Sequence, residues 1–154
     1  MNEINQRVIL LVEDNPDDEV LTLRALRKSN IRNPITVVRD GAEALDYIFI
    51  RGAHAGRDPS IQLQVILLDI HLPKVDGLTV LRRIRESEHT RLLPVVMLTS
   101  SNEERDLDGS YELGVNSYVR KPVGVTDFFE AVRQLGMYWL ILNEPLPRNT
   151  RGAG

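Results

Sequence analysis

The chain contains no cysteine among its 154 residues. A disulfide framework and a thiolate metal site are therefore excluded. No apolar run approaches the roughly 20 residues that a membrane-spanning helix needs. The first residues, MNEINQR, also lack the apolar core of a signal peptide. These absences predict a cytoplasmic protein with no membrane partner.

An excess of positive charge is missing as well. The sequence has 19 basic and 22 acidic residues, for a formal net charge of -3. A nucleic-acid-binding protein usually carries a basic surface, so we do not expect nucleic acid as a partner. Hydrophobic residues make up 42% and charged residues 27%, which is typical of a globular protein. We expect one domain over residues 1–142 and a polar C-terminal tail over residues 143–154.

The apolar residues form short runs without alternation, which is typical of strands buried on both faces of a parallel sheet. Each run is followed by the signals of a helix start, such as Asn15-Pro16, Asp40-Gly41 and Asp76-Gly77. The predicted strands are Arg7–Val12, Ile35–Val38, Val65–Asp69, Pro94–Leu98 and Asn116–Arg120. Five strands alternating with five helices predict an α/β fold, a doubly wound five-stranded parallel sheet with helices on both faces.

Helical spacing predicts which side chains of the helices face the core. The fourth helix is predicted over Asn102–Leu113, and the last one begins near Thr126. In the first three helices the expected buried positions are Val20, Leu23 and Leu26, then Ala42, Leu45, Ile48 and Phe49, then Leu78, Leu81 and Ile84. Arg82, Arg83 and Arg85 are expected to form a solvated face of the third helix, because Glu86 and Glu88 follow them.

Functional groups stand where four of the predicted strands end. They are Glu13-Asp14, Asp69, Thr99 and Lys121. Because the carboxyl ends of parallel strands share one edge of the sheet, these groups are expected to form one site. Two carboxylates about 4 Å apart repel each other by roughly 4 kcal/mol at an effective dielectric constant of 20, so such a cluster favours a bound cation. Oxygen ligands without histidine or cysteine suit Mg²⁺.

An acidic Mg²⁺ site with a nearby ammonium group and a hydroxyl group fits phosphoryl transfer to an aspartate. The sequence has no G-x-x-x-x-G-K-[ST] loop and no G-x-G-x-x-G fingerprint. A haloacid-dehalogenase-type phosphatase would have an aspartate two residues after its nucleophile, whereas this chain has His71. A Mg²⁺-dependent phosphohydrolase with an aspartate nucleophile remains the alternative function. A pure interaction module, which keeps the fold without the chemistry, is a second alternative.

The same residues give the chain a close resemblance to the response-regulator receiver domains of two-component signalling. Asp14 and Asp69 are 55 residues apart, Thr99 follows 30 residues later, and Lys121 follows after 22 more. The segments LVEDNPDD, VILLDIHLPKVDG, VVMLTSS and SYVRKPV all match the family, over about Val8 to Leu142. The resemblance implies a CheY-like, flavodoxin-like fold with the strand order 2-1-3-4-5.

The resemblance also implies a role for each site residue. Asp69 is the phosphoacceptor, to which a histidine kinase donates the phosphoryl group. Asp14, Asp69 and the backbone carbonyl of His71 bind Mg²⁺, or Mn²⁺ in its place, and Glu13 acts through a metal-bound water. Thr99 and Lys121 contact the phosphoryl group, and the side chain of Tyr118 follows Thr99 as part of a switch. The peptide bond between Lys121 and Pro122 is expected to be cis.

Three segments are similar to the small regulators that are paired with bacterial phytochrome kinases. They are LVEDNPDD, the lengthened loop before the third strand, and the closing YWLILNEPLP. This similarity implies a bacteriophytochrome kinase as the partner and a homodimer. Tyr138, Trp139 and residues 140–142 make the last helix apolar almost all round, which favours a dimer interface through this helix and the C-terminal segment.

The sequence suggests a role for each of the three histidines. His71 is expected to face solvent and to supply only its carbonyl oxygen. The alternative is that its imidazole hinders attacking water and lengthens the life of the phosphoryl group. His54 and His89 lie in polar surroundings and are expected to be ordinary surface residues.

Overall fold

The computed structural model describes residues 7–100 and 113–134 of the chain. Its strands are β1 (Val8–Val12), β2 (Ile35–Val38), β3 (Leu63–Asp69), β4 (Val95–Thr99) and β5 (Ser117–Arg120). Its helices are α1 (Pro16–Lys28), α2 (Gly41–Phe49), α3 (Gly77–Glu86) and α4 (Val125–Gln134), with a 3₁₀ turn at Gly52–His54. Most of the helix predicted over Asn102–Leu113, and all of the apolar segment around Trp139, lie outside the described residues.

The five strands form one sheet in the order β2-β1-β3-β4-β5, and every neighbouring pair is parallel. The predicted fold class and strand order are therefore confirmed. Val12 pairs with Leu68, and Asp69 pairs with Leu98. This register brings the carboxyl ends of β1, β3 and β4 to the same edge of the sheet.

Successive residues of the central strands point to opposite faces of the sheet and build two separate cores. Helices α1 and α4 cover one face, where the strand side chains are Ile9, Leu11, Val65, Leu67, Val96 and Leu98. Helices α2 and α3 cover the other face, where the strand side chains are Leu10, Val12, Ile66, Leu68, Val95 and Met97. Burial on both faces explains why these strands read as unbroken apolar runs.

The predicted helix starts at Asn15, Asp40 and Asp76 are confirmed as N-caps. Asn15 Oδ1 accepts hydrogen bonds from the backbone N–H groups of Asp17 and Asp18. The Asp40 and Asp76 carboxylates accept from backbone N–H groups three residues later in α2 and α3. Each cap fixes the end of the helix that lies nearest to the carboxyl edge of the sheet.

The predicted core face of α1 was partly wrong. Val20 is 53% exposed, whereas Thr22, Ala25 and Leu26 are buried and Leu23 is half-buried. Three residues of an α-helix rotate by about 300°, which is less than a full turn. Positions chosen at every third residue therefore drift around the helix axis. The mixed spacing of Thr22, Ala25 and Leu26 stays on one face.

Smaller differences of the same kind occur in α2 and α3. Ala42 is only half-buried, while Ala44 and Tyr47 fill the core beside Leu45. In α3, Leu78 is half-buried and Val80 is fully buried. The other predicted core positions, Ile48, Leu81 and Ile84, are buried, and the half-buried Phe49 packs against the same core.

Arg85 is not part of a solvated arginine face. Arg82 and Arg83 are exposed as predicted, but Arg85 is half-buried. Its guanidinium group donates to the backbone carbonyls of Gly114, Arg91 and Leu93 and to the Asn116 side chain, at 2.7–3.0 Å. It therefore ties α3 to the segments that lead into β4 and β5.

Within the described residues, none of the helices has the length and apolar character needed to cross a bilayer.

Candidate functional site

The carboxyl edge of the sheet brings the predicted residues together. Glu13 directly follows β1, Asp69 is the last residue of β3, and Thr99 is the last residue of β4. Lys121 follows β5, and its backbone N–H donates to the Thr99 carbonyl at 2.6 Å. The side chains of Glu13 and Asp69 and the ammonium group of Lys121 meet in one pocket.

Three carboxylates form the acidic part of this pocket. Glu13, Asp14 and Asp69 each offer an oxygen atom within 4.8 Å of the others. Glu13 is fully buried and Asp69 is 2% exposed, whereas Asp14 is exposed. The inner side of the cluster is thus shielded from solvent, and its outer side is open, so that an ion or a phosphoryl group can enter.

Lys121 supplies the positive charge of the pocket. Its Nζ lies 3.0 Å from Asp69 Oδ2, 3.2 Å from Asp18 Oδ2 and 3.4 Å from Glu13 Oε1. Burial alone would lower the pKa of Lys121, but the Asp69 and Glu13 carboxylates outweigh this effect and raise the pKa above its usual value. The ammonium group therefore stays charged throughout the physiological pH range.

Glu13 is the most perturbed carboxyl group of the site. Burial raises the pKa of Glu13 to about 8, and a hydrogen bond with Asp69 and the negative charge of Asp69 act in the same direction. Lys121 and the backbone N–H of Asn15, which lies 3.2 Å from Glu13 Oε2, oppose the shift only in part. Without a metal ion, Glu13 therefore keeps its proton at neutral pH.

Two glycines let the loop after β3 pack closely against the neighbouring segments. A Cβ on Gly77 would overlap the backbone carbonyl oxygen of Asp69, and the Gly77 N–H donates to the Ile70 carbonyl at 2.7 Å. A Cβ on Gly41 would overlap the carbonyl oxygen of Val75. The loop between β3 and α3 is therefore packed between the end of β3 and the start of α2.

The donor set of this pocket fits a hard divalent cation. Its ligand atoms are carboxylate oxygens, which Mg²⁺ and Mn²⁺ prefer. A divalent ion would also lower the pKa of Glu13, because its positive charge opposes the effects of burial and of the Asp69 charge. Glu13, Asp14 and Asp69 are the residues that would hold it.

The remaining predicted residues lie on β4, on β5, and in the segments that follow β3 and β5. The Thr99 hydroxyl is buried and donates to the Ser100 carbonyl at 3.1 Å. Tyr118 is 39% exposed on β5, and the His71 side chain is exposed on the loop after β3. The peptide bond between Lys121 and Pro122 is cis, as predicted.

Two features were missed or misread from the sequence. Asp18 contacts Lys121, although no spacing signal separates Asp18 from the other acids in the first turn of α1. His54 is not an ordinary surface residue: it is half-buried, its Nε2 lies 3.0 Å from Glu43 Oε2, and its ring makes an edge contact with Tyr47. His89 is exposed, in agreement with the prediction.

Comparison with protein families gives one match over most of the chain. The model of the response regulator receiver domain matches residues 9–133. Among curated proteins, the response regulator Rcp1 of Synechocystis sp. is 38% identical over 134 residues, which cover 87% of this chain and 89% of Rcp1.

Solved structures give matches of the same kind. The bacteriophytochrome response regulator RtBRR has a TM-score of 0.81 and 51% identity, and the match covers 95% of this chain and 87% of RtBRR. The Mn²⁺-bound form of Rcp1 has a TM-score of 0.71 and 37% identity, over 87% of this chain and 94% of that one. The phosphorylated cyanobacterial phytochrome response regulator RcpA also has a TM-score of 0.71 and 37% identity, and the match covers 88% of this chain and 94% of RcpA.

Proposed function

Because this chain belongs to the response regulator receiver domain family, we propose that Asp69 is its phosphoacceptor. The chain is a response regulator of a two-component system, and its pocket takes Mg²⁺ or Mn²⁺. The observation that carries the assignment of Asp69 is the contact of its buried carboxylate with the Lys121 ammonium beside the other two acids.

The phosphoryl transfer follows from this arrangement. A carboxylate oxygen of Asp69 attacks the phosphorus atom of a phosphohistidine on the kinase. The new P–O bond forms while the P–N bond breaks, and the imidazole leaves with the electron pair of that bond. Lys121, already beside Asp69, pairs with a phosphoryl oxygen and limits the build-up of negative charge. A bound Mg²⁺ supplies further neutralisation of the phosphoryl oxygens.

The other site residues have supporting roles in this proposal. Asp14 and Asp69 would bind the metal directly together with the His71 carbonyl, and Glu13 would bind through a water molecule. The Thr99 hydroxyl, which now donates to the Ser100 carbonyl, would turn to donate to the phosphoryl group. Tyr118, on the neighbouring strand, would change its side-chain position with Thr99 and alter a surface that a partner protein reads.

As a receiver domain, the chain acts in signalling rather than in turnover of an external substrate. We propose that it catalyses its own phosphorylation and its own later hydrolysis of the acyl phosphate. The family match favours this function over a Mg²⁺-dependent phosphohydrolase, which would release phosphate from external phosphomonoesters.

Incubation with acetyl phosphate and Mg²⁺ tests the assignment of Asp69. Intact-protein mass spectrometry should detect a gain of one phosphoryl group in the wild type and no gain in Asp69→Asn. Asp46→Asn, a change of the same kind on α2 away from the pocket, should be phosphorylated like the wild type. Phosphorylation of Asp69→Asn, or sustained turnover of a phosphomonoester by the wild type, would contradict the proposal.

The partners follow from the relatives. Membership of the receiver-domain family supports a histidine kinase as the phosphoryl donor, and the descriptions of RtBRR and RcpA mention a phytochrome. We propose a bacteriophytochrome kinase as the donor for this chain. Phosphotransfer from a purified kinase of this type within seconds, against minutes from an unrelated kinase, would support the pairing.

We also propose a homodimer that forms through the last helix and the C-terminal segment. The apolar residues 138–142, which lie outside the described part of the chain, support this assembly. Sedimentation velocity at tens of micromolar protein should detect a dimer, and replacement of Trp139 and Leu140 by polar residues should yield a monomer. A monomeric wild type would rule the assembly out.

A further inference from the structure

Asp18 holds the ammonium group of Lys121 from outside the acidic cluster. An ammonium group has three N–H donors, and within residues 7–100 and 113–134 the Lys121 Nζ has three carboxylate neighbours. Two of them, Glu13 and Asp69, belong to the group that would hold a metal ion. Asp18 does not belong to that group, although its Oδ2 lies only 3.2 Å from Nζ.

The start of α1 fixes the position of this carboxylate. Asn15 caps the helix and accepts a hydrogen bond from the Asp18 N–H at 3.1 Å. The side chain of Asp18 is 27% exposed, and that of Lys121 is 12% exposed. The neighbouring Asp17 is exposed and Glu19 pairs with Arg39, so Asp18 is the acid of this turn that reaches Lys121.

Binding of a metal ion and phosphorylation would affect the three carboxylates differently. A divalent ion would share the oxygen atoms of Glu13 and Asp69, and phosphorylation would turn the Asp69 carboxylate into an acyl phosphate, so these two residues would attract Lys121 less. Asp18 lies outside the metal-binding group, so neither event removes its contact with Lys121. We propose that Asp18 is a positioning residue that keeps the Lys121 ammonium at the phosphoryl site during transfer to Asp69. This inference rests on the proposed function.

The contact limits the freedom of a long side chain. An unrestrained lysine has many rotamers, and ordering it lowers its conformational entropy. With Asp18 replaced by asparagine, the ammonium group would spend less time beside the reacting oxygen. Because the ion pair is partly exposed, we expect phosphorylation to slow by about three- to fivefold rather than to stop.

The test measures the rate of phosphorylation by acetyl phosphate at saturating Mg²⁺, with mass spectrometry as the readout. In this reaction Asp69 forms the P–O bond, and acetate leaves with the electron pair of the broken bond. Asp18→Asn is compared with Asp17→Asn, which removes the same charge from the same helical turn. Asp18→Glu keeps the carboxylate and should recover most of the rate. Thermal unfolding of each variant confirms that it folds.

A double-mutant cycle separates positioning from a general charge effect. In a Lys121→Gln background, Asp18→Asn should change the rate by less than about 1.5-fold, because no ammonium group remains to be positioned. A rate equal to that of Asp17→Asn, a faster rate, or a slowing that persists without Lys121 would each overturn the inference. A wild type that takes no phosphoryl group would instead overturn the proposed function.

Discussion

At the residue scale, a proton and the proposed metal ion would compete for the carboxyl group of Glu13. Burial raises the pKa of Glu13 to about 8 in the metal-free protein, well above its usual 4.5. Folding therefore favours the protonated form. The stability that this proton contributes is present below about pH 4.5 and is lost as the pH rises through 8. A divalent ion requires the opposite, deprotonated form.

The affinity for Mg²⁺ should therefore rise with pH. Below the pKa of Glu13, binding releases about one proton, so we expect up to about a tenfold increase per pH unit between pH 6 and 8, and then a plateau. Titration calorimetry in two buffers of different ionisation enthalpy measures both the affinity and the released proton.

Glu13→Gln is the control for this titration. Glutamine keeps the shape of the side chain but cannot lose a proton, so the pH dependence should flatten while binding stays weaker than in the wild type. An affinity of the wild type that does not change between pH 6 and 8 would contradict the competition.

Arg85 is a second residue whose role depends on its surroundings. Its planar guanidinium group reaches three backbone carbonyls and Asn116 at the same time, and Asn116 in turn accepts a hydrogen bond from the Val95 N–H. A lysine has a single nitrogen atom and cannot reproduce this fork. The segment around Gly114 would lose its tie to α3.

Arg85→Lys should lower the free energy of unfolding by about 2 kcal/mol, the size expected for the loss of charge-assisted hydrogen bonds that are only partly exposed. Urea denaturation measures the change. Arg83→Lys, on the exposed side of the same helix, should stay within about 0.5 kcal/mol of the wild type. Equal stability of the two variants would mean that the bonds of Arg85 add nothing to the fold.

The sequence predicts some of these residues and not others, for a physical reason. Glu13, Asp69 and Lys121 could be predicted because each follows a strand, and parallel strands end at one edge. Asp18 and Arg85 could not, because each is one of several like-charged residues in its helix. Their partners come from distant parts of the chain, and only the packed structure selects which of the like residues reaches them.

At the element scale, the first turn of α2 forms hydrogen bonds with the chain before the helix and with the turn after it. Asp40 Oδ1 accepts from the Glu43 N–H at 2.7 Å, and Glu43 Oε1 accepts from the Arg39 N–H at 3.1 Å. Asp40 and Glu43 thus form a capping box, with the return bond to the backbone one residue earlier than in the usual box. The other oxygen of Glu43 binds His54, which anchors the turn after α2.

Asp40→Ala should lower the free energy of unfolding by about 1 kcal/mol, since the Glu43 N–H would lose its capping acceptor. Asp40→Asn keeps an acceptor oxygen at the same place and should retain most of the stability. Thermal or urea unfolding of the three proteins checks the order. An alanine variant as stable as the wild type would show that water replaces the cap without loss.

The elements were predictable to different degrees. The central strands and the helix starts depend on local signals, namely unbroken apolar runs and capping residues, so their predicted bounds lie within two residues of the observed ones. The buried face of α1 depends on the angle at which the helix lies on the sheet. The sequence does not contain that angle, and for this reason Val20 was assigned to the wrong face.

At the scale of the whole molecule, the sheet brings buried acidic groups together at one edge. Two apolar cores hold β1 and β3 side by side, and the register between the strands places Glu13 beside Asp69. The packing of the cores therefore offsets the cost of burying these two carboxyl groups together. A divalent ion that binds the assembled acidic groups binds the folded chain and not the unfolded one, so it must stabilise the fold.

Mg²⁺ should accordingly raise the midpoint of thermal unfolding. At a concentration one hundred times its dissociation constant, a ligand of the native state adds about 2.7 kcal/mol. Screening by salt alone would act on any set of charges, so NaCl at the same ionic strength is the first control and should give a much smaller rise. Asp14→Asn is the second control, because Asp14 is exposed and its replacement removes a proposed metal ligand with little effect on the core. If NaCl matched Mg²⁺, or if the Asp14→Asn variant gained as much stability as the wild type, the three carboxylates would not form a specific metal site. The link between the packing of the sheet and its phosphoryl chemistry would then be lost.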